Sequence, residues 1–74
     1  MIGDKIRELR EKRKLTQIEL AKLAGISNTY LSDIERGRVN PSLKTLDKLA
    51  RALGIKIDWE IFLNDDYVKT EQIA

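Results

Sequence analysis

Residues 16–37 read Thr16-Gln17-Ile18-Glu19-Leu20-Ala21-Lys22-Leu23-Ala24-Gly25-Ile26-Ser27-Asn28-Thr29-Tyr30-Leu31-Ser32-Asp33-Ile34-Glu35-Arg36-Gly37. Thr16 followed by Glu19 three residues later is a capping box, so a helix starts at about Gln17. Its apolar set is Ile18, Leu20, Ala21, Leu23 and Ala24, and Gly25 ends it as a left-handed cap. Ile26 is a lone apolar residue after that glycine, and Ser27 caps a second helix over residues 28–36. There Leu31, Ile34 and the stem of Glu35 face one way. Thr29, Ser32, Asp33 and Arg36 face the other, with Asn28 at the exposed first turn and Gly37 closing the helix.

Two helices this close must cross steeply over a tight turn, and that crossing makes demands on residue type. Ala21 is small where the next helix passes. Gly25 tolerates positive φ. Ile26 plugs the space under the turn, and Leu20, Leu31 and Ile34 supply inward apolar contacts. All these demands are met within one short stretch, which identifies a helix-turn-helix. What remains on the second helix after its core is subtracted is short and polar: Asn28, Thr29, Ser32 and Asp33. Side chains of that kind reach base edges in a DNA major groove. Asn bonds adenine at two points. Thr offers a methyl to thymine and a hydroxyl to phosphate. Asp33 repels phosphates, so it either accepts from a cytosine amino group or excludes wrong sequences. Arg36 and Arg38 neutralise phosphates, with Arg38 in reach of the minor groove. Gln17 stands at a helix start whose amides suit a phosphate.

Outward from this unit the pattern stays helical. Ile2, Ile6 and Leu9 line one face of a first amphipathic helix over residues 1–13, with Glu8 and Lys12 as a favourable pair. Asn40-Pro41-Ser42 is a turn and a cap. It opens a fourth helix with Leu43, Leu46, Leu49, Ala50 and Leu53 at helical spacing and Gly54 at its end. Ile55, Ile57, Trp59 and Ile61 alternate like a strand, yet Ile57, Ile61, Phe62 and Leu63 also fit a short helix face. With no strand elsewhere to pair with, a fifth helix is expected. The expectation is an all-α, five-helix bundle over residues 1–63, followed by an acidic 64–74 tail that is disordered or docks on a partner protein.

Charge and composition narrow the function. The chain has 74 residues and net charge +2. Residues 1–56 carry thirteen Lys and Arg against seven Asp and Glu, and residues 57–74 carry one against five. A basic body suits phosphate and an acidic end faces elsewhere; plain surface solubility is the competing reading. There is no cysteine and no histidine, which removes disulfides, thiol nucleophiles and zinc fingers. No nucleophile–base pair, phosphate loop, metal-ligand spacing or cofactor motif is visible, so no enzyme and no cofactor is expected. With no apolar run of spanning length, the expected setting is cytoplasmic.

Competing structural readings attach to these residues. Asn28, Thr29 and Ser32 also read as solvated surface. Tyr30 reads equally as a packed ring with a wet hydroxyl or as a phosphate contact. Thr16, Ser27 and Ser42 are caps first. Arg10 and Glu35 sit near the inward faces of their helices, where they are expected to pair.

The segments Thr16-Gln17-x-Glu19-Leu20-Ala21, Ala24-Gly25-Ile26-Ser27, Tyr30-Leu31-x-x-Ile34-Glu35-Arg36-Gly37, Asn40-Pro41-Ser42 and Leu49-Ala50-x-x-Leu53-Gly54 resemble the Cro/C1-type, lambda-repressor-like (XRE) family. Met1-Ile2-Gly3 with Ile6-Arg7-x-x-Arg10 is similar to the DNA-binding part of SinR-type repressors. The resemblance spans about residues 2–63. It implies a five-helix bundle binding a palindromic operator as a two-fold dimer, with half-sites roughly 34–36 Å apart. It implies that Gln17 grips backbone phosphate and steadies the start of the third helix, that Asn28, Thr29, Ser32 and Asp33 face bases, and that Arg38, Asn40, Ser42 and Lys44 reach the backbone. It also implies an inward Arg10–Glu35 salt bridge. The expected DNA contacts are therefore Thr16, Gln17, Ser27, Asn28, Thr29, Tyr30, Ser32, Asp33, Arg36, Arg38, Asn40, Ser42 and Lys44. The expected dimer region is Ile57, Trp59, Ile61, Phe62 and Leu63. The leading function is a transcription regulator, a repressor encoded by a bacterium, an archaeon or a phage. The alternatives are an antitoxin that binds a toxin protein and regulates its own gene, and the DNA-binding part of a longer regulator.

Overall fold

Local chemistry defines the helix ends: three helices start on a hydroxyl cap, and all four end on one backbone pattern. The computed structural model describes residues 2–57 as α1 (Ile2–Lys12), α2 (Gln17–Ala24), α3 (Asn28–Glu35) and α4 (Leu43–Leu53), with no strand among the described residues. Thr16 Oγ1 accepts from Glu19 N at 3.1 Å, and Glu19 Oε1 accepts from Thr16 N at 2.8 Å, completing the capping box. Ser27 and Ser42 cap α3 and α4 through Tyr30 N and Thr45 N.

The C-terminal ends share one hydrogen-bond pattern, a left-handed residue whose follower donates back five residues. Leu15 N donates to Arg10 O, Ile26 N to Ala21 O, Arg38 N to Asp33 O and Ile55 N to Ala50 O. This closes the orphan carbonyls and turns the residue after the cap inward. Glycine supplies the left-handed φ after α2, α3 and α4, whereas Lys14 takes φ 57° after α1. A side chain there costs roughly 1 kcal/mol.

The core is Ile6 of α1, Leu20, Ala21 and Ala24 of α2, Leu31 and Ile34 of α3, and Leu46, Leu49 and Leu53 of α4, with Ile26 packed against it under the turn. α2 packs on both α3 and α4, and α1 packs on α3. Burying each large side chain of this set contributes about 1.5–3 kcal/mol.

Three apolar residues at helical spacing lie outside the core. Ile18 is 62% exposed, Leu23 61% and Leu43 47%. Leu20, Ala21 and Ala24 define the packed stripe of α2, and at about 100° per residue Ile18 and Leu23 fall beyond its two edges. Leu43 sits in the first turn of α4, ahead of its core contacts.

Gly3 is buried where α1 crosses the end of α3. A Cβ at this position would run into the Ile34 carbonyl oxygen and stand 3.1 Å from Glu35 O. Only the missing side chain lets the two helices approach this closely. The first helix is as expected, except that it ends at Lys12 rather than Arg13 and that Glu8 pairs with Lys5, at 3.8 Å, and not with Lys12. α3 ends at Glu35, with Arg36 as its cap. After Gly54, Ile55–Ile57 are non-helical. The fifth helix expected through Leu63, with Trp59, Ile61 and Phe62, and the tail 64–74 fall outside the described residues.

Candidate nucleic-acid interface

The helix-turn-helix is clamped from beneath by one buried carboxylate. Glu35, the last residue of α3, has a fully buried side chain. Arg10 donates through Nε to Glu35 Oε2 at 2.7 Å and through a terminal nitrogen to Oε1 at 3.0 Å, a two-point pairing. The other terminal nitrogen of Arg10 donates to Leu15 O at 2.8 Å. Gln17 Nε2 also donates to Glu35 Oε1, at 3.0 Å. Arg7 stands 3.7 Å away with half its side chain in solvent. One carboxylate thus holds α1, the start of α2 and the end of α3 together.

Burial pushes the Glu35 carboxyl up. The hydrogen bonds from Arg10 and Gln17 and the charges of Arg10 and Arg7 outweigh it and hold the group below the usual glutamate range. Arg10 is raised above its ordinary value, chiefly by its hydrogen bond to Glu35.

The expected Arg10–Glu35 pair is therefore present. Gln17, expected to steady the start of α3, bonds its last residue instead, and the approach of Arg7 is an addition. Both come from three-dimensional packing, and no local pattern announces them. With its nitrogen occupied, Gln17 has its amide oxygen and first-turn backbone left to turn outward.

Subtracting the buried edge of α3, formed by Leu31, Ile34 and Glu35, leaves one continuous polar surface. Asn28 and Thr29 are exposed; Ser32 and Asp33 are half-buried; Arg36 is exposed at the cap. The chain then passes through exposed Arg38 and Asn40, over the buried Pro41, to Ser42 and Lys44 at the start of α4, both exposed. Thr16 and Ser27 cap their helices on exposed ground.

Tyr30 is a joint between helices. Its ring packs half-buried against the core, and its hydroxyl stands 3.4 Å from Thr45 Oγ1. Ser42 Oγ donates to the same Thr45 oxygen at 3.0 Å. The start of α4 is thereby tied to α3. Thr45 was not among the expected site residues, although its place three residues after the Ser42 cap is the signal that marks it. Among the described residues no group of acidic side chains is arranged to hold a metal ion, and no helix is long and apolar enough to cross a membrane.

A family model described as helix-turn-helix matches residues 6–59. The immunity repressor protein of Bacillus phage phi105 is 48% identical over 71 residues, covering 96% of this chain and 49% of the relative. The HTH-type transcriptional regulator DdrOP3 of Deinococcus deserti is 52% identical over 54 residues, covering 73% of this chain and 42% of the relative. The chain thus spans about half the length of these two curated relatives. Among solved structures, the N-terminal DNA-binding domain of SinR from Bacillus subtilis superposes with a TM-score of 0.73 at 34% identity, covering 90% of this chain and 96% of that one. SinR in complex with DNA matches with a TM-score of 0.73 at 38% identity, over 76% of this chain and 90% of that one. The restriction-modification controller protein C.AhdI from Aeromonas hydrophila matches with a TM-score of 0.72 at 44% identity, over 73% of this chain and 82% of that one. The clamp beneath the turn, the emptied outer face of α3 and these likenesses converge: the chain belongs to the helix-turn-helix family, in its Cro/C1 (XRE) branch of DNA-binding transcription regulators.

Proposed function

We propose that the chain reads double-stranded DNA through α3 and represses transcription from a palindromic operator, bound as a two-fold dimer. The observation that carries this reading is the Glu35 clamp. It locks the start of α2 to the end of α3 from the inside and leaves Asn28, Thr29, Ser32 and Asp33 outward with no core duty. Those four residues meet base edges. Thr16, Gln17, Ser27, Arg36, Arg38, Asn40, Ser42 and Lys44 grip phosphates around them, and the Tyr30–Thr45 link keeps the two sets in fixed relation. The thirteen basic residues of positions 1–56 supply the attraction.

The DNA-reading domain extends through residue 63 as a five-helix bundle, with 64–74 as a separate acidic tail available to a protein partner. Support comes from an apolar groove between α1 and α4, lined by Ile2, Ile6, Leu9, Leu46 and Leu53, into which Ile57 already leads. Trp59, Ile61, Phe62 and Leu63 follow directly in the chain and supply the apolar surface for the dimer.

Selection of bound duplexes from a random pool, with sedimentation of the complex, tests the reading. The expected product is a palindrome bound by two chains, with half-site centres roughly 34–36 Å apart. A pool that enriches nothing, or an asymmetric site bound by one chain, contradicts it.

A further inference from the structure

The outer face of α3 carries one charge that is unfavourable on a surface aimed at phosphates. At about 100° per residue, Thr29 and Asp33 lie opposite the buried edge of Leu31, Ile34 and Glu35. Asp33 is half-buried. Among the described residues its carboxylate has no hydrogen bond and no ion pair, although Arg36 and Arg38 are near in the chain. The other two acids of the unit are engaged, Glu19 in the capping box and Glu35 in the clamp. The Asp33 backbone is pinned, since its carbonyl accepts from Arg38 N at 2.9 Å. The structure therefore presents a positioned, unneutralised anion at the centre of the reading face.

A carboxylate only accepts hydrogen bonds. Guanine shows it two acceptors in the major groove, and thymine an acceptor and a methyl. Adenine pairs its amino donor with the N7 acceptor beside it. Cytosine alone offers an amino donor with no acceptor on the same base's edge. Against guanine and thymine the anion loses water without compensation, and against adenine the N7 lone pair beside the amino group repels it. We infer that Asp33 determines specificity by requiring cytosine at one position of each half-site, acting mainly by weakening complexes with the other bases. The inference rests on reading α3 as the major-groove helix.

The sign of the effect separates this role from an ordinary contact. Truncating a contact weakens binding to the right site. Truncating an excluding anion strengthens binding to the wrong one. The experiment repeats the random-pool selection with wild type, Asp33→Ala and Asp33→Asn at one salt concentration, after circular dichroism has confirmed equal helix content. Each protein is then titrated on the wild-type consensus duplex and on the same duplex with the cytosine replaced. The wild-type pool holds cytosine at one position per half-site. Asp33→Ala keeps the rest of the site, becomes indifferent there, and binds the replaced duplex about tenfold more tightly than wild type does. Asp33→Asn turns the preference to adenine. Identical enriched sequences from all three proteins, or an Asp33→Ala variant no tighter on the replaced duplex, overturn the inference. A wild-type pool that enriches nothing is a different failure, because it removes the DNA-reading role of α3 and this inference with it.

Discussion

Gln17 Nε2 donates to Glu35 Oε1 at 3.0 Å, so the first residue of α2 is bonded to the last residue of α3. The bond lies under the turn, on the side away from the polar face. It makes Gln17 a brace for the crossing angle as well as a phosphate contact in the proposed complex.

Gln17→Ala is therefore expected to lower stability by about 1 kcal/mol, the worth of one hydrogen bond to a charged partner that keeps its other donors. DNA affinity is expected to fall by the same factor on the operator and on unrelated duplexes. Parallel titrations on both duplexes check this. A loss confined to the operator would assign Gln17 to base reading instead.

Removing one partner of the Arg10–Glu35 pair leaves a buried charge uncompensated. Arg10→Met is expected to cost about 3–5 kcal/mol, a large fraction of the stability of so small a fold. Arg10→Met combined with Glu35→Leu is expected to cost much less than the two single changes added together. Urea denaturation of the four proteins gives the coupling. Simple additivity would show that the pair is not a unit.

The same carboxylate predicts acid sensitivity. Glu35 titrates lower in the folded chain than in the unfolded one. The unfolded chain then binds more protons, and stability falls as the pH drops. The contribution is fully present above the ordinary glutamate value of about 4.3. It fades as the pH falls through the depressed folded value. Denaturation midpoints measured from neutral pH downward are expected to drop over that acid window in wild type, and to drop less in the Arg10→Met, Glu35→Leu protein. An equal drop in both would place the acid-sensitive group elsewhere.

Gly3→Ala reverses the usual helix rule. Alanine in place of an interior helix glycine ordinarily adds about 1 kcal/mol. Here the added methyl meets the Ile34 carbonyl oxygen, a backbone atom of the packed α3. A net loss of about 1–3 kcal/mol is expected from overpacking, read as a lower urea midpoint. A gain in stability would mean that α1 shifts freely on α3.

Asn28→Ala, Thr29→Ala and Ser32→Ala test the proposed reading face. Each true base contact is expected to cost about 1–3 kcal/mol on the operator and little on random DNA. Competition titrations separate the two quantities. If all three variants keep full discrimination, the face is misassigned.

The features legible in the chain are the ones set by neighbours in sequence. Thr16, Ser27 and Ser42 cap helices because a hydroxyl meets an amide two or three residues on. Gly25 and Gly54 end helices because a left-handed residue is needed there. Leu20, Leu31, Ile34 and Leu49 were legible because 3.6-residue spacing admits only one buried edge. The exposure of Ile18, Leu23 and Leu43 was not legible, because apolar character says nothing about which side has a neighbouring helix; α2 is covered only along Leu20, Ala21 and Ala24. The left-handed cap at Lys14 was not legible, since the residue type argues against it; there the Leu15 amide donates to Arg10 O and the Arg10 guanidinium to Leu15 O. On the reading face, Asn28, Thr29, Ser32 and Asp33 were found by subtraction. The Gln17–Glu35 and Tyr30–Thr45 bonds were not, because each joins residues that only the tertiary fold brings together.

The left-handed ending of α2, followed at once by the Ile26 plug and the Ser27 cap, leaves the unit no slack. One residue inserted after Ser27 would turn the whole of α3 by about 100°, moving Tyr30 and Asp33 into the buried places of Leu31 and Ile34 and turning Leu31 outward. Sequence preference in this unit therefore changes by replacing letters and never by adding them. The span from Thr16 to Glu35 behaves as a ruler of fixed length, on which the outward positions are rewritable marks.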